Sequence, residues 1–207
     1  MEEMNWVIEL NNELKNRVDT SKDTEEYWKK RSIYKVPACI KELNRKAYIP
    51  QVVSFGPYHH GEEHLKPMEE HKHRALHHFI NRCGRPIQDL VNALDKVLQD
   101  LKDSYEPLDL VWKNDKHRFL QLMILDGCFM LEILRGSTID YASNDPIFSE
   151  HGKLYIMPLI KRDMLMLENQ LPMRVLDELD AIHHSNKPMV NSFYSSHFAR
   201  TLICIKK

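Results

Sequence analysis

The sequence is poor in glycine and cysteine and carries almost no net charge. Six glycines in 207 residues argue against collagen-like, glycine-loop-rich and multi-turn β architectures. Four cysteines are too few for a disulfide scaffold in a chain of this length, and none forms a C-x-x-C pair or has zinc-finger spacing. The 29 Lys and Arg residues nearly balance the 30 Asp and Glu residues, so the basic excess typical of nucleic-acid-binding proteins is missing. We therefore expect reduced, structural cysteines and no nucleic-acid partner.

The sequence also lacks a long hydrophobic run. Its most apolar stretch, residues 119–134, is interrupted by Gln121, Asp126 and Glu132 and falls short of the 18 apolar residues of a transmembrane helix. The N-terminus is acidic and has no apolar run of signal-peptide length. As given, the chain is expected to be soluble and intracellular.

Helical periodicity dominates the rest of the sequence. Apolar residues recur every three or four positions in segments 4–18, 65–83, 87–102, 115–135, 154–168 and 172–183, and residues 24–31 are a candidate for a further short helix. Asn114 or Asp115 can cap the most apolar of these segments, and Gly136 follows its end. The pattern predicts a mainly α fold, an irregular multi-helix bundle built on residues 119–134.

One proline-containing region interrupts this pattern. Pro37, Pro50 and Pro57 prevent a long helix from crossing residues 33–61, which we interpret as an extended loop insertion packed on the helices. The predicted organisation is therefore two N-terminal amphipathic helices in residues 1–31, a helical domain in residues 32–184 and a divergent tail in residues 185–207.

A histidine-rich helix suggests one alternative chemistry. His73 and His77 lie one helical turn apart, with Glu69 and Glu70 one turn before them, so this face is a weak candidate for a metal site. The residues between the two histidines supply no general base, unlike those of an H-E-x-x-H motif. A solvated helix face is favoured, with no metal or other cofactor.

No catalytic signature is present in the sequence. It contains no G-x-S-x-G motif, no catalytic-cysteine signature and no phosphate-binding glycine loop. A basic and aromatic cluster could form a small nucleic-acid or anionic-lipid patch, but a charged helix face is favoured; its members are Tyr27, Trp28, Lys29, Lys30, Arg31, Tyr34 and Lys35. We expect no catalytic residues.

Several short segments, taken together in order, carry a family resemblance. They are Ile33–Pro37 (IYKVP), Tyr48–Gly61 (YIPQVVSFGPYHHG), Met68–Glu69 with Lys72, Asp126–Glu132 (DGCFMLE), Asn144–Phe148 (NDPIF) and Asp163–Pro172 (DMLMLENQLP). In this order they resemble the plant-specific domain of unknown function 247 family, also called uncharacterised protein family 0481. The resembling region runs from about Ile33 to Leu179.

This resemblance implies a mainly α plant protein without an established enzymatic activity. Members of the family are usually longer and commonly end in a hydrophobic, membrane-anchoring segment, so this chain would be a truncated member that lacks the C-terminal half. Some grass members are implicated as recognition determinants in self-incompatibility. The resemblance implies a non-catalytic interaction or recognition module with an unknown protein partner and membrane association only by analogy. Two alternatives stay open, a metal-dependent enzyme using His73 and His77 and a nonfunctional truncated fragment.

Two of these segments supply the candidate binding residues. In the turn between Gly56 and Gly61, Tyr58, His59 and His60 either pack the loop onto the helices or present a binding surface. In the second segment, Glu168, Asn169 and Gln170 precede a proline and are expected to form a buried polar network between two helices, and they are also binding candidates.

An acid and a glycine lie in the middle of the most apolar predicted helix. Gly127 predicts a close approach by another helix, since glycine otherwise weakens a helix interior. Asp126 is expected to be exposed at a helix edge or, if buried, to be hydrogen-bonded.

Overall fold

A computed structural model describes residues 5–19, 21–136 and 139–183. The chain divides into two compact units, Met1–Arg31 and Ser32–Lys207. Within the described residues there are twelve α-helices and only two very short strands, which confirms the predicted mainly α fold.

The first unit consists of two helices, α1 (Asn5–Asp19) and α2 (Ser21–Lys30). The rings of Tyr27 and Trp28 meet edge to face with their centroids 5.1 Å apart. The Arg31 guanidinium lies 4.1 Å from the Tyr27 ring centroid, which is a cation–π distance. The aromatic and basic residues of this region therefore contact one another.

The second unit contains the remaining helices and both strands. The strands β1 (Ile33–Tyr34) and β2 (Tyr105–Glu106) pair in parallel, with Ile33 opposite Tyr105. The helices are α3 (Ala38–Leu43), α4 (Arg45–Tyr48), α5 (Pro67–Cys83), α6 (Ile87–Lys96), α7 (Leu98–Asp103), α8 (Leu110–Asn114), α9 (Lys116–Arg135), α10 (Glu150–Tyr155), α11 (Met157–Met164) and α12 (Met173–His183), with a 3-10 helix at Glu63–Leu65.

Helix α9 is the centre of the second unit. Every residue from Phe119 to Leu134 except Gln121 is buried, and α5, α6, α8 and α12 pack around it. The Asp115 side chain accepts a hydrogen bond from the N–H of Arg118 and so caps the helix start, while Gly136 ends it at a φ of 66°. The predicted central helix and its cap are confirmed.

Gly127 lies where α12 packs closely against α9. A Cβ atom at this position would lie 2.6 Å from Leu179 Cδ1 and 2.9 Å from Val175 Cγ1. Glycine is required because any side chain would push the two helices apart. The predicted close helix approach is confirmed.

The structure differs from the sequence prediction in three places. The predicted helix 87–102 is broken at Val97, whose φ of −113° and ψ of 10° separate α6 from α7. Two short helices, α3 and α4, occupy part of the region interpreted as an extended loop, and Pro37 lies at the start of α3. The predicted segment 154–168 begins earlier, as α10, and ends earlier, as α11.

Candidate functional site

The extended segment at residues 51–56 has few backbone partners of its own and is held by side chains from distant helices. The Asp163 carboxylate accepts three consecutive backbone hydrogen bonds through Oδ2, from the N–H groups of Gln51, Val52 and Val53 at 2.9, 2.8 and 3.2 Å. Asp163 itself is fully buried. A charged acceptor that binds several N–H groups fixes a strand-like segment without a neighbouring strand.

The Asn169 amide continues this pattern along the same segment. Its Oδ1 accepts the N–H of Phe55 at 2.6 Å, and its Nδ2 donates to the carbonyl oxygens of Val53 at 2.9 Å and Asp163 at 3.0 Å. The buried polar network predicted around Asn169 is present. It joins the extended segment to α11 and the turn that follows, and it does not join two helices, because Val53 and Phe55 lie outside any helix.

A fully buried ion pair closes the far end of the segment. The Lys72 ammonium lies 2.7 Å from Asp126 Oδ1 and 2.7 Å from Glu69 Oε1, and it donates to the carbonyl oxygen of Ser54 at 2.7 Å. Asp126 Oδ2 accepts the N–H of Gly56 at 2.8 Å. Burial raises the pKa of Asp126 to about 6, and the Lys72 ammonium opposes part of that rise. Of the two environments expected for Asp126, exposed at a helix edge or buried and hydrogen-bonded, the structure has the second.

The turn at Gly56 fits against the end of the same network. Gly56 has a φ of 72°, and a Cβ atom there would lie 2.6 Å from the carbonyl oxygen of Gln170 and 2.8 Å from the Tyr105 hydroxyl oxygen. The Tyr105 hydroxyl donates to that carbonyl at 3.0 Å. Both the backbone conformation and the available space require glycine here.

Glu168 holds the chain that follows β1. Its carboxylate accepts the N–H of Val36 and lies 2.6 Å from the Lys41 ammonium and 3.5 Å from His59 Nε2. The other ring nitrogen of His59, Nδ1, lies 2.7 Å from Glu62 Oε1. Glu168 and His59 are both buried, so they act on neighbouring elements of this protein.

Tyr58 and His60 pack within the loop. The Tyr58 hydroxyl donates to the carbonyl oxygen of Ile33 at 3.2 Å, and its ring meets Tyr105 edge to face at 5.5 Å. His60 packs edge to face on Trp112 with centroids 5.4 Å apart. Burial raises the pKa of the Tyr58 hydroxyl and lowers that of His60. Of the two roles considered for this turn, these contacts support the packing role.

An open groove of about 350 Å³ lies beside this network. One part of its lining comes from β1 and the chain that leads into α3, and another from the turn after α11. Its lining includes Tyr34, Val36, Pro37, Tyr48, Leu167 and Gln170. We call it the tyrosine groove, after Tyr34 and Tyr48.

The tyrosine groove combines exposed apolar side chains with one unsatisfied polar group. Tyr34 is 44% exposed and Leu167 is 55% exposed, although both belong to the segments that carry the family resemblance. Gln170 is 5% exposed, and its buried Nε2 has no hydrogen-bond partner within the described part of the chain. A buried amide donor without an acceptor is costly, but this nitrogen has almost no accessible surface, so the groove presents its apolar side chains to a ligand and not this amide.

The two histidines proposed as metal ligands do not belong to this site. His73 lies in a second, apolar groove of about 370 Å³ between α5, α6 and α9, and His77 contacts Asn81 and His78 on its own helix. Among residues 5–19, 21–136 and 139–183, no group of three His, Cys, Asp or Glu side chains is arranged to hold a metal ion.

The cysteines of the described residues are not paired. Cys39 is exposed, Cys83 is half-buried and Cys128 is buried inside α9, and all three are free thiols. Cys204 lies outside the described residues. Burial raises the pKa of the Cys128 thiol, which makes it a poor nucleophile.

No helix within the described residues is both long and apolar enough to cross a membrane.

Sequence comparison shows which family the chain comes from. The model of family DUF247, described as a plant protein of unknown function, matches residues 33–204. UPF0481 protein At3g47200 of Arabidopsis thaliana is 38% identical over 149 residues, which is 71% of this chain. Putative UPF0481 protein At3g02645 of the same plant is 27% identical over 176 residues, or 84% of this chain. The chain belongs to the DUF247 family of plant proteins, as the short segments predicted. No solved structure matches it.

The matched regions cover 30% and 31% of the two relatives' own lengths, so most of each relative lies outside the region that this chain matches. The family match continues to residue 204. It therefore enters residues 185–207, the segment predicted to be a divergent tail, which lies outside the described residues.

Sequence reasoning missed several residues of this site. Lys72 and Asp163 are fully buried at its centre, yet each lies in a helical segment where a charge is usually read as solvent-facing. Tyr34, Tyr48 and Leu167 line the tyrosine groove but were not singled out as binding residues. The available signal was that Tyr34, Tyr48 and Leu167 all lie inside the family segments, and that Leu167 directly precedes Glu168.

Proposed function

We propose that this protein is a non-catalytic interaction module that binds a segment of a partner protein in the tyrosine groove. One observation carries the proposal: the segments that bear the family resemblance converge in space and divide into two roles. Within LENQLP, Glu168 and Asn169 hold the backbone of other segments, while the adjacent Leu167 and Gln170 line the groove. Glu168 and Asn169 thus fix the position of the backbone, and their neighbours Leu167 and Gln170 form part of the groove wall.

The placement of the charged groups supports a binding role over a catalytic one. Lys72, Asp126, Asp163 and Glu168 are occupied by backbone groups or by one another. A general acid or base has to reach a substrate proton, and these four side chains are directed into the protein instead. The self-incompatibility role of some grass relatives is one setting in which a recognition module of this kind acts.

Panning a phage-displayed random peptide library against the immobilised protein tests this proposal. We expect enriched peptides to bind the wild type and to lose binding to Leu167→Glu, because a charge placed in an apolar groove opposes an apolar ligand. Leu154→Glu is the matched control: Leu154 is 66% exposed, does not line the groove and should leave binding unchanged. Enrichment of no peptide, or equal binding to the wild type and Leu167→Glu, would contradict the proposal.

A further inference from the structure

The second groove, between α5, α6 and α9, has no part in the proposed function, and no residue lines both grooves. Its volume of about 370 Å³ lies in the range of pockets that hold small molecules. We call it the aliphatic groove, because its apolar lining residues are all aliphatic: Leu76, Ile87, Val91, Leu120, Ile124 and Leu125. A ligand in this groove meets aliphatic side chains and no aromatic ring on which to stack.

Helix α6 leaves part of its apolar stripe uncovered on one wall of the aliphatic groove. Leu90 and Leu94 are fully buried, whereas Ile87 is 50% exposed and Val91, one turn further along, is only half-buried. A ligand that covers Ile87 and Val91 removes aliphatic surface from water, and binding is favoured for that reason.

The lining that α9 contributes changes from polar to apolar along the helix. His117 and Gln121 come first and lie one turn apart on the same side, and Ile124 and Leu125 follow. The helix rises about 12 Å from His117 to Leu125, which is the length of an extended chain of about ten carbon atoms. A ligand aligned with α9 therefore has a polar group at one end and an aliphatic chain at the other.

The polar groups of the aliphatic groove favour an acidic head group on the ligand. Neither His117 nor Gln121 uses its side chain in a hydrogen bond or an ion pair within the described part of the chain, so both can donate a hydrogen bond to a ligand. An imidazole is neutral or positive and never negative. The described residues that line the groove include no Asp or Glu, so the walls can repel a cation but not an anion.

Charged residues around the groove place an acidic head group on α9. On α5, Glu70 comes one turn before His73 and would repel an anion bound there. On α9, Lys116 lies 2.6 Å from Asp95 Oδ1, so these two charges offset each other. The α9 side of the groove is therefore the better position for a carboxylate.

We propose that the aliphatic groove binds a medium-chain aliphatic carboxylic acid, whose chain covers Ile87 and Val91 and whose carboxylate accepts hydrogen bonds from His117 and Gln121. A small molecule fits the groove better than a partner protein, because a specific protein interface covers about 800 Å² on each side. This inference does not depend on the proposed function.

The test titrates decanoate into the full chain and follows the methyl resonances of Ile87 and Val91 by NMR. We expect these resonances to shift, and we expect decanoate to bind at least about tenfold more tightly than hexanoate, which covers less aliphatic surface. Decylammonium should bind at least about threefold more weakly than decanoate. No saturable shift below about 1 mM decanoate, or equal binding of decylammonium, would overturn the inference.

Ile87→Glu tests the location of the site. The new carboxylate repels decanoate and should lower its affinity at least about tenfold. Leu110→Glu is the matched control, because Leu110 is 71% exposed and does not line the aliphatic groove. Equal affinity of the two variants for decanoate would overturn the assigned site.

A double variant, His117→Ala with Gln121→Ala, tests the head-group contact. Both positions are exposed, so the variant keeps the core of α9 intact. We expect it to bind decanoate and decylammonium with similar affinity. An unchanged preference for decanoate would overturn the assigned contact.

The library selection described above separates this inference from the proposed function, because Ile87 and Leu167 line different grooves. Decanoate binding that is lost in Ile87→Glu and unchanged in Leu167→Glu would uphold the inference whatever peptides are selected. Selected peptides that lose binding to Ile87→Glu and are not displaced by decanoate would assign the aliphatic groove to a partner protein and overturn the inference.

Discussion

The ammonium group of Lys72 lies 2.7 Å from the carboxylate of Asp126, and neither side chain has any exposed surface. Lys72 comes from α5 and Asp126 from α9, the two helices on either side of the contact. Through Ser54 and Gly56 the pair also binds the extended segment. Two helices and a loop therefore meet at a single ion pair.

Lys72→Met should be strongly destabilising. The substitution leaves the Asp126 carboxylate buried without its cation, and breaking a buried ion pair in this way typically costs about 3–5 kcal/mol. Chemical denaturation at neutral pH measures the loss. Lys116→Met is the matched control, because the Lys116–Asp95 pair is solvent-exposed and should contribute less than about 1 kcal/mol. Equal losses in the two variants would show that the buried pair has no special role.

The contribution of Asp126 to the stability of the wild type should fall as pH rises through its titration. Its folded pKa of about 6 lies above the ordinary value of 3.8, so the contribution is fully present below pH 4 and is lost as pH rises through 6. The shift corresponds to about 3 kcal/mol between these limits. The measurement is the free energy of unfolding of the wild type minus that of Asp126→Asn, which cannot titrate, across this range. Parallel pH profiles for the two proteins would contradict the assignment.

Asn169→Leu should lower the free energy of unfolding by more than the loss of a single hydrogen bond would. The substitution leaves the N–H of Phe55 and the carbonyl oxygens of Val53 and Asp163 without this partner. We expect a loss of about 3 kcal/mol and a melting temperature lower by roughly 6–12 °C. Asn92→Leu provides the control in differential scanning calorimetry, since Asn92 is exposed and its side chain accepts a hydrogen bond from the exposed Gln88 side chain one turn away. A change in melting no larger than that of the control would show that the network is dispensable.

Gly56→Ala should be far more damaging than Gly84→Ala. Both glycines have positive φ values, 72° and 63°, so both alanines carry a backbone cost of about 1–2 kcal/mol. Only at Gly56 does the new methyl group also collide with a backbone oxygen, that of Gln170, whereas Gly84 has nothing within 4 Å. The difference between the two variants in urea denaturation isolates the collision. Similar midpoints would mean that the loop moves away from Gln170 without cost.

The elements that could be predicted from the sequence are those with a local signal. The apolar run and its flanking Asp115 and Gly136 define α9 to within one residue. The segment predicted at 65–83 corresponds to α5, which begins two residues later at Pro67 and ends just before Gly84. In both helices the information that sets the boundary lies within a few residues of it.

The parts that could not be predicted depend on contacts between distant residues. Strands of two residues have no detectable periodicity, so the pairing of Ile33 with Tyr105 left no pattern in the sequence. Asp126 stands out in an apolar helix, but nothing in the sequence identifies Lys72 as its partner until the fold brings the two together. The tyrosine groove was missed for the same reason, because its two walls come from segments near residues 34 and 170.

The extended segment depends on acceptors that are synthesised much later. Asp163 and Asn169 follow the N–H groups they bind by 110 to 114 residues. During translation, residues 51–56 therefore leave the ribosome long before their hydrogen-bond partners exist. This part of the protein cannot form its native hydrogen bonds until residues 163–169 have emerged, and until then its unpaired backbone groups are open to misfolding and to capture by chaperones.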